Sequence, residues 1–126
     1  GVVYKIELDG KTYALKTSAK EMAVLQRLKH HNIVLFIGFT QLDLGQAIIM
    51  EFINENLREH LDLNRLDKRQ FVQIAGGVSK GIAYVHEMGF VHKDVKSANI
   101  LVRVISSAEV IPQICDFGVA RPVPED

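Results

Sequence analysis

From Asp67 to Met88, apolar residues return at every third or fourth position: Phe71, Ile74, Val78, Ile82 and Val85. That spacing puts them on one stripe of a helix of about six turns. Such a stripe has to be buried, so the chain must wrap other elements around it. Gly76 and Gly77 sit inside the pattern, where each costs about 1 kcal/mol of helix propensity. Their presence predicts a neighbour that packs closely there. Gly89 closes the helix as a C-terminal cap. The next stretch, Val91-His92-Lys93-Asp94-Val95-Lys96-Ser97-Ala98-Asn99-Ile100-Leu101, is mostly polar. Apolar runs at Ile100 to Val104 and Val110 to Cys115 then read as strands joined by a polar turn around Ser106 to Ala108. The polar side chains are therefore confined to a loop between a buried helix and a buried pair of strands.

The first half reads differently. Residues 1 to 7 form a strand, Asp9-Gly10 is a tight hairpin turn, and Thr12 to Lys16 is the returning strand. Ser18 to His30 turns helical, with Met22, Leu25 and Leu28 on one face. Ser18 and Glu21 have capping-box spacing. Asn32 to Phe39 and Gln46 to Ile53 are expected as strands around a turn at Gln41 to Gly45. Asn54-Glu55-Asn56 interrupts the pattern, and Leu57 to Leu63 reads as a short helix. The expected fold class is α+β with two lobes: residues 1–53, an antiparallel sheet with one helix, and residues 54–126, mainly helical.

The 48% hydrophobic content suits a globular domain. A formal net charge of +0 gives no global attraction to nucleic acid or an anionic membrane. No apolar run approaches the ~18 residues of a membrane span. The single cysteine, Cys115, excludes an internal disulfide and suits a reducing, cytoplasmic location. It is expected as a small buried hydrophobe.

The polar loop has the residue types for phosphoryl transfer, which depends on positioning and charge neutralisation. Asp94 can accept a hydroxyl proton, and Lys96 can hold the charge of a moving phosphate. Asn99 and Asp116 can offer oxygen to Mg²⁺, a hard cation.

The order His92, Asp94, Asn99, then Asp116-Phe117-Gly118 resembles the signature of protein kinases. The resemblance implies the kinase bilobal fold, here incomplete, with ATP and Mg²⁺ between the lobes. Gly1-Val2-Val3 looks like the end of the Gly-rich loop, with Gly1 its last glycine and Val3 over the adenine. Tyr13-Ala14-Leu15-Lys16 resembles the Val-Ala-Ile-Lys strand, which puts Ala14 beside the base and Lys16 on the phosphates. Glu21 resembles the helix glutamate that pairs with that lysine. Its other reading is a capping-box or solvent residue. Met50 resembles the gatekeeper, a role hard to separate from plain core packing. The backbone of Glu51 and Ile53 would bond the base, and Leu101 would form its floor. Leu25, Phe36, His92 and Phe117 would stack as the regulatory spine. Asn99 and Asp116 would be the metal ligands, and Asp94 the base.

Lys96 resembles Ser/Thr kinases, and the Lys96-Ser97-x-Asn99 wording is most similar to the tyrosine-kinase-like branch, the Raf and mixed-lineage relatives. A protein substrate bearing Ser or Thr, and regulatory partner kinases, are therefore expected. Three features depart from the pattern. Glu21 follows Lys16 by only five positions, which implies a helix shortened at its start. Asp116 follows Asn99 by seventeen, which a surface hairpin at Ser106 to Glu109 can absorb. Lys93 stands where the family has Arg, and lysine cannot hold a phosphate bidentately. The alternative is thus a pseudokinase or nucleotide-binding scaffold with little transfer. A small-molecule phosphotransferase fits less well, given Asp116-Phe117-Gly118 and the His30-to-Val34 run. The matched motifs cover about half of a kinase domain. The chain as given is expected to be poorly stable, with part of its long helix exposed, and at best weakly active.

Overall fold

In the computed structural model, residues 2–43, 45–64 and 66–124 are described; Gly1, expected at the Gly-rich loop, lies outside them. Strands β1 (Val3–Leu8) and β2 (Lys11–Lys16) form the expected hairpin around Asp9-Gly10. Gly10 takes φ +78° there, a conformation glycine adopts without strain. Helix α1 (Ala19–Leu25) follows, then β3 (Phe36–Leu42) and β4 (Gly45–Glu51). All four strands pair antiparallel in the order β1-β2-β4-β3.

The second half contains α2 (Leu57–Leu63), the long α3 (Lys68–Glu87), and the antiparallel hairpin of β6 (Ile100–Val104) and β7 (Val110–Ile114). A short pair, β5 (Phe90–Val91) with β8 (Arg121–Pro122), went unforeseen. Both α2 and α3 begin with complete capping boxes, Asn56 with Glu59 and Asp67 with Gln70. Among the described residues, no helix is long and apolar enough to cross a membrane.

Three expectations need correction. Helix α1 ends at Leu25, short of His30, although Leu28 remains buried in the following turn. Asn32 to Leu35 belong to a loop, and β3 starts only at Phe36. The loop leaves the sheet to meet β7: Val34 N–H donates to the Ile114 carbonyl (2.9 Å), and Ile114 N–H donates to the Asn32 carbonyl (2.8 Å). Ile33 and Val34 are buried between the two halves of the chain while Leu35 is exposed, so a short buried apolar pair reads like a strand. Third, Phe71 is 62% exposed. The face of α3 that packs on β7 is Ile74, Gly77, Gly81 and Val85. A Cβ on Gly77 would lie 2.4 Å from Pro112 Cγ, and one on Gly81 would lie 2.9 Å from Ile114 Cδ1. The close packing expected at the glycine pair is therefore real at Gly77. Gly76 faces open space.

The main core joins the two halves. Leu25, Val34, Ile48 and Met50 from the sheet side pack with Val85, Ile114 and Phe117. A smaller cluster of Ile74, Val102 and Val110 fixes α3 on the β6–β7 hairpin.

Candidate active site

Lys16 ends β2 and is 5% exposed. Its Nζ lies 2.7 Å from Glu21 Oε1 and 3.2 Å from Asp116 Oδ1. The two readings of Glu21 are both partly realised. Its backbone N–H donates to Ser18 Oγ (3.2 Å), so Ser18 caps α1. Its carboxylate turns inward to Lys16, and Oε2 also accepts from the Phe117 N–H at 3.3 Å. The short Lys16–Glu21 interval is thus enough, because α1 begins only three residues after β2 ends.

The charges reinforce one another. Burial works against the Lys16 ammonium, but the carboxylates of Glu21 and Asp116 outweigh it and hold Lys16 above the ordinary lysine value. Burial likewise favours neutral Asp116. The Lys16 charge and hydrogen bond, with the Gly118 N–H, overcome this and hold the carboxyl below its usual range. The neighbouring Cys115 thiol is pushed up to about 12 by burial, then by the negative charges of Asp116 and Glu21. The thiol is thus held in its neutral form; the residue, expected to be buried, is only partly so and lines the cleft, which its place beside Asp116 could have signalled.

The polar loop is tied together from within. Asn99 Nδ2 donates to the Asp94 carbonyl (2.9 Å) and to Asp94 Oδ2 (3.1 Å). Lys96 Nζ is 3.6 Å from Asp94 Oδ1, with both side chains well exposed. His92 is buried and spends both ring nitrogens on structure. Nδ1 accepts from the Asp94 N–H (3.0 Å), so Nε2 carries the proton and donates to the Cys115 carbonyl (2.8 Å). The ring also meets Phe117 edge-on at 4.7 Å. Those bonds hold Asp94 and Asp116 in fixed relation. Leu25 and Phe117 are fully buried in the same core, with Phe36 packed against it. Lys93 is exposed and makes no ion pair among the described residues.

A cavity of about 230 Å³ opens between the halves. Val3, Ala14 and Met50 line it from the sheet, and Leu101 and Asn99 from the other side. Ala14 and Met50 are cross-strand partners, which places the small residue beside the large one. Glu51 and Ile53 border the cavity. The Glu51 N–H is already given to the Leu35 carbonyl (3.0 Å), so it is not available to a ligand. The backbone N–H and C=O of Ile53 make no hydrogen bond among the described residues.

These residues suit a magnesium nucleotide. The cavity has an apolar slot with the unspent backbone groups of Ile53 at one side. Buried Lys16 and the ionised Asp116 also line it. With Asn99 donating through Nδ2, its Oδ1 accepts nothing among the described residues. No cluster of three or more His, Cys, Asp or Glu could hold a metal among the described residues. Mg²⁺ beside phosphates usually takes only one or two protein carboxylates.

The comparisons with known proteins agree with this geometry. The family model described as the protein kinase domain matches residues 2–126. Calmodulin-binding receptor-like cytoplasmic kinase 1 of Arabidopsis thaliana is 33% identical over 147 residues, covering 100% of this chain and 30% of that protein. The proline-rich receptor-like protein kinase PERK12 of the same plant is 35% identical over 140 residues, 96% of this chain and 19% of that protein. A probable LRR receptor-like serine/threonine-protein kinase, also from Arabidopsis, is 33% identical over 133 residues, 99% of this chain and 14% of that protein. The chain thus spans less than a third of the length of these relatives. With the antiparallel sheet, and with the Lys16–Glu21 pair, Asn99 and Asp116 on one cleft, this chain belongs to the protein kinase domain family.

Proposed function

We propose that the chain forms the nucleotide cleft and catalytic loop of a serine/threonine protein kinase acting in the cytoplasm. The observation that carries the proposal is the Lys16 ammonium held between Glu21 and Asp116 at the cleft that Asn99 also lines. ATP with Mg²⁺ would supply the transferable phosphoryl group and the divalent charge that neutralises it. Val3, Ala14, Met50 and Leu101 take the base between apolar surfaces, and the Ile53 backbone and the Glu51 carbonyl orient it. Lys16, kept protonated and aimed by Glu21, binds phosphate oxygens. Asn99 Oδ1 and the Asp116 carboxylate would hold Mg²⁺.

Asp94 orients the acceptor hydroxyl and takes its proton at the carboxylate. Its hydrogen bond from Asn99 keeps Oδ2 fixed, and Oδ1, with the exposed Lys96 ammonium 3.6 Å away, takes that proton. Lys96 lies beside Asp94 and stabilises negative charge on the phosphoryl group, an arrangement that suits a Ser or Thr of a protein substrate. The second reading, a nucleotide-binding scaffold, is favoured by Lys93, which lacks the bidentate fork of arginine.

Radiolabelled phosphate transfer from Mg-ATP to casein, with nucleotide binding followed in parallel, separates the two. Asp94→Asn is expected to lower transfer by about 100-fold or more while leaving binding intact. Asp116→Ala is expected to lose Mg-dependent binding. Equal transfer by the parent and Asp94→Asn would remove Asp94 from the mechanism. Tight Mg-ATP binding by a parent that transfers nothing would select the scaffold.

A further inference from the structure

A second cavity, of about 440 Å³, lies behind the strand that borders the nucleotide cleft. The two cavities share a wall, since Val34 and Glu51 line both. The back cavity lies within the size range of small-molecule sites. One side comes from the loop after α1, with Leu28, Ile33 and Leu35; the other comes from the β6–β7 hairpin, with Arg103 and Ile111. Those two sides belong to different halves of the chain, so a molecule lodged there would touch both.

The charges at this cavity are unbalanced. The Glu51 carboxylate pairs with the Arg103 guanidinium. Arg103 gives one further, long hydrogen bond to Gln113 Oε1 at 3.5 Å. A guanidinium has five N–H donors, so most remain unspent. Lys29 also lines the cavity and has no ion pair among the described residues. After the Glu51–Arg103 pair is discounted, the lining therefore keeps one surplus cation above an apolar floor.

We propose that this back cavity is a regulatory site for a small amphipathic anion, an apolar body carrying one acidic group, whose binding changes affinity for nucleotide. The apolar body rests on Leu28, Ile33, Leu35 and Ile111, and the anionic group meets Lys29 and the spare donors of Arg103. The regulatory half rests on the nucleotide-cleft reading above; the existence of the site does not.

Two fluorescent probes separate the contributions: 1-anilinonaphthalene-8-sulfonate, and N-phenyl-1-naphthylamine, which has the same ring system without the sulfonate. Lys29→Glu is expected to weaken the sulfonate by about tenfold, the scale of one charged hydrogen bond, and to leave the neutral probe nearly unchanged. Leu35→Asp should weaken both, and Phe71→Ser, at a distant exposed apolar residue, should weaken neither. Lys29, Leu35 and Phe71 are all exposed, so each variant should keep the parental melting curve. Mg-ATP should then shift sulfonate affinity by a limited factor, with the same factor appearing in reverse, as linkage requires. Identical sulfonate binding in Lys29→Glu would overturn the site. Displacement that grows without limit as Mg-ATP rises would place the probe in the front cleft and also overturn it. Saturable binding of both ligands with no mutual effect would overturn the regulatory role. If Mg-ATP does not bind at all, the nucleotide reading and the coupling fall together, and the nucleotide-free probe titrations still decide the site.

Discussion

Two adjacent glycines in the middle of α3 are expected to respond oppositely to the same added methyl group. At Gly76 a Cβ meets nothing within 4 Å. Gly76→Ala should gain helix propensity alone and stabilise the chain by about 1 kcal/mol. At Gly77 the new Cβ would fall 2.4 Å and 2.8 Å from the Pro112 ring carbons, and 2.7 Å from Asn32 Nδ2. A proline ring cannot rotate away. The Asn32 amide is held by its bond to the Pro112 carbonyl at 3.0 Å. Overpacking of this kind costs about 1–3 kcal/mol, and the rigid neighbours place it at the upper end. After the propensity gain, Gly77→Ala should still lose about 2 kcal/mol, leaving the two variants about 3 kcal/mol apart. Urea unfolding followed by circular dichroism measures the gap directly, with parallel slopes required for the comparison. If Gly77→Ala proves as stable as Gly76→Ala, the helix does not pack on β7 as closely as the geometry states.

The ion-pair system gives further expectations. Lys16→Met leaves Glu21 buried without its counter-charge and should destabilise by about 3 kcal/mol, whereas Lys16→Met with Glu21→Leu should recover most of that loss. A double variant no better than the single one would show that the pair is not energetically coupled. Asp116 has a lowered carboxyl in the folded chain, so its contribution is present above the ordinary carboxylate range and disappears as pH falls through the folded value. Asp116→Asn should therefore lose less stability than the parent between about pH 5 and pH 3, and equal acid sensitivity would contradict the assignment. Lys16, raised above its ordinary value, keeps its contribution throughout that window and loses it only on the alkaline side. For Cys115, a thiol near 12 leaves about one thiolate in ten thousand at pH 8. Iodoacetamide should modify it only after denaturation, and native-state labelling as fast as that of glutathione would refute the burial argument.

What the sequence made legible follows from how far apart the deciding residues lie. His92, Asp94, Lys96 and Asn99 were readable because their chemistry is concentrated in a few positions. The residue types alone limit what such a loop can do. Glu21 was ambiguous because its carboxylate is held by the Phe117 N–H, 96 positions away, while its backbone obeys the local capping rule. Of the apolar stripe of α3, Ile74, Val78, Ile82 and Val85 pack as the periodicity implies and only Phe71 does not, because hydrophobic periodicity counts apolar side chains and part of the contact surface here is glycine. Asn32 to Leu35 reads like a strand because Ile33 and Val34 are buried from both sides, and such burial produces the same apolar run whichever neighbour supplies it. The cavity behind Glu51 has no local motif at all, being assembled from the loop after α1, one residue of β4 and the β6–β7 hairpin.

Lys93 shows the same division within a single residue. The substitution was visible in the sequence, but its consequence for the loop was not. Its backbone sits at φ +72°, a left-handed conformation that ordinary residues avoid. Holding a lysine there costs on the order of 1 kcal/mol, which the surrounding bonds must offset. Those bonds are intact: the next residue still donates its N–H to His92 Nδ1, and Asn99 still closes the loop onto the Asp94 carbonyl. None of them uses the side chain at position 93. The bonds that shape the loop therefore make no demand on an arginine, and lysine lacks the planar fork that could grip a phosphate bidentately. The bonds that place Asp94 and Asn99 do not involve the Lys93 side chain. Lys93→Ala is therefore expected to leave the folded loop and the melting curve unchanged, and a marked loss of stability would show that the side chain does hold the loop.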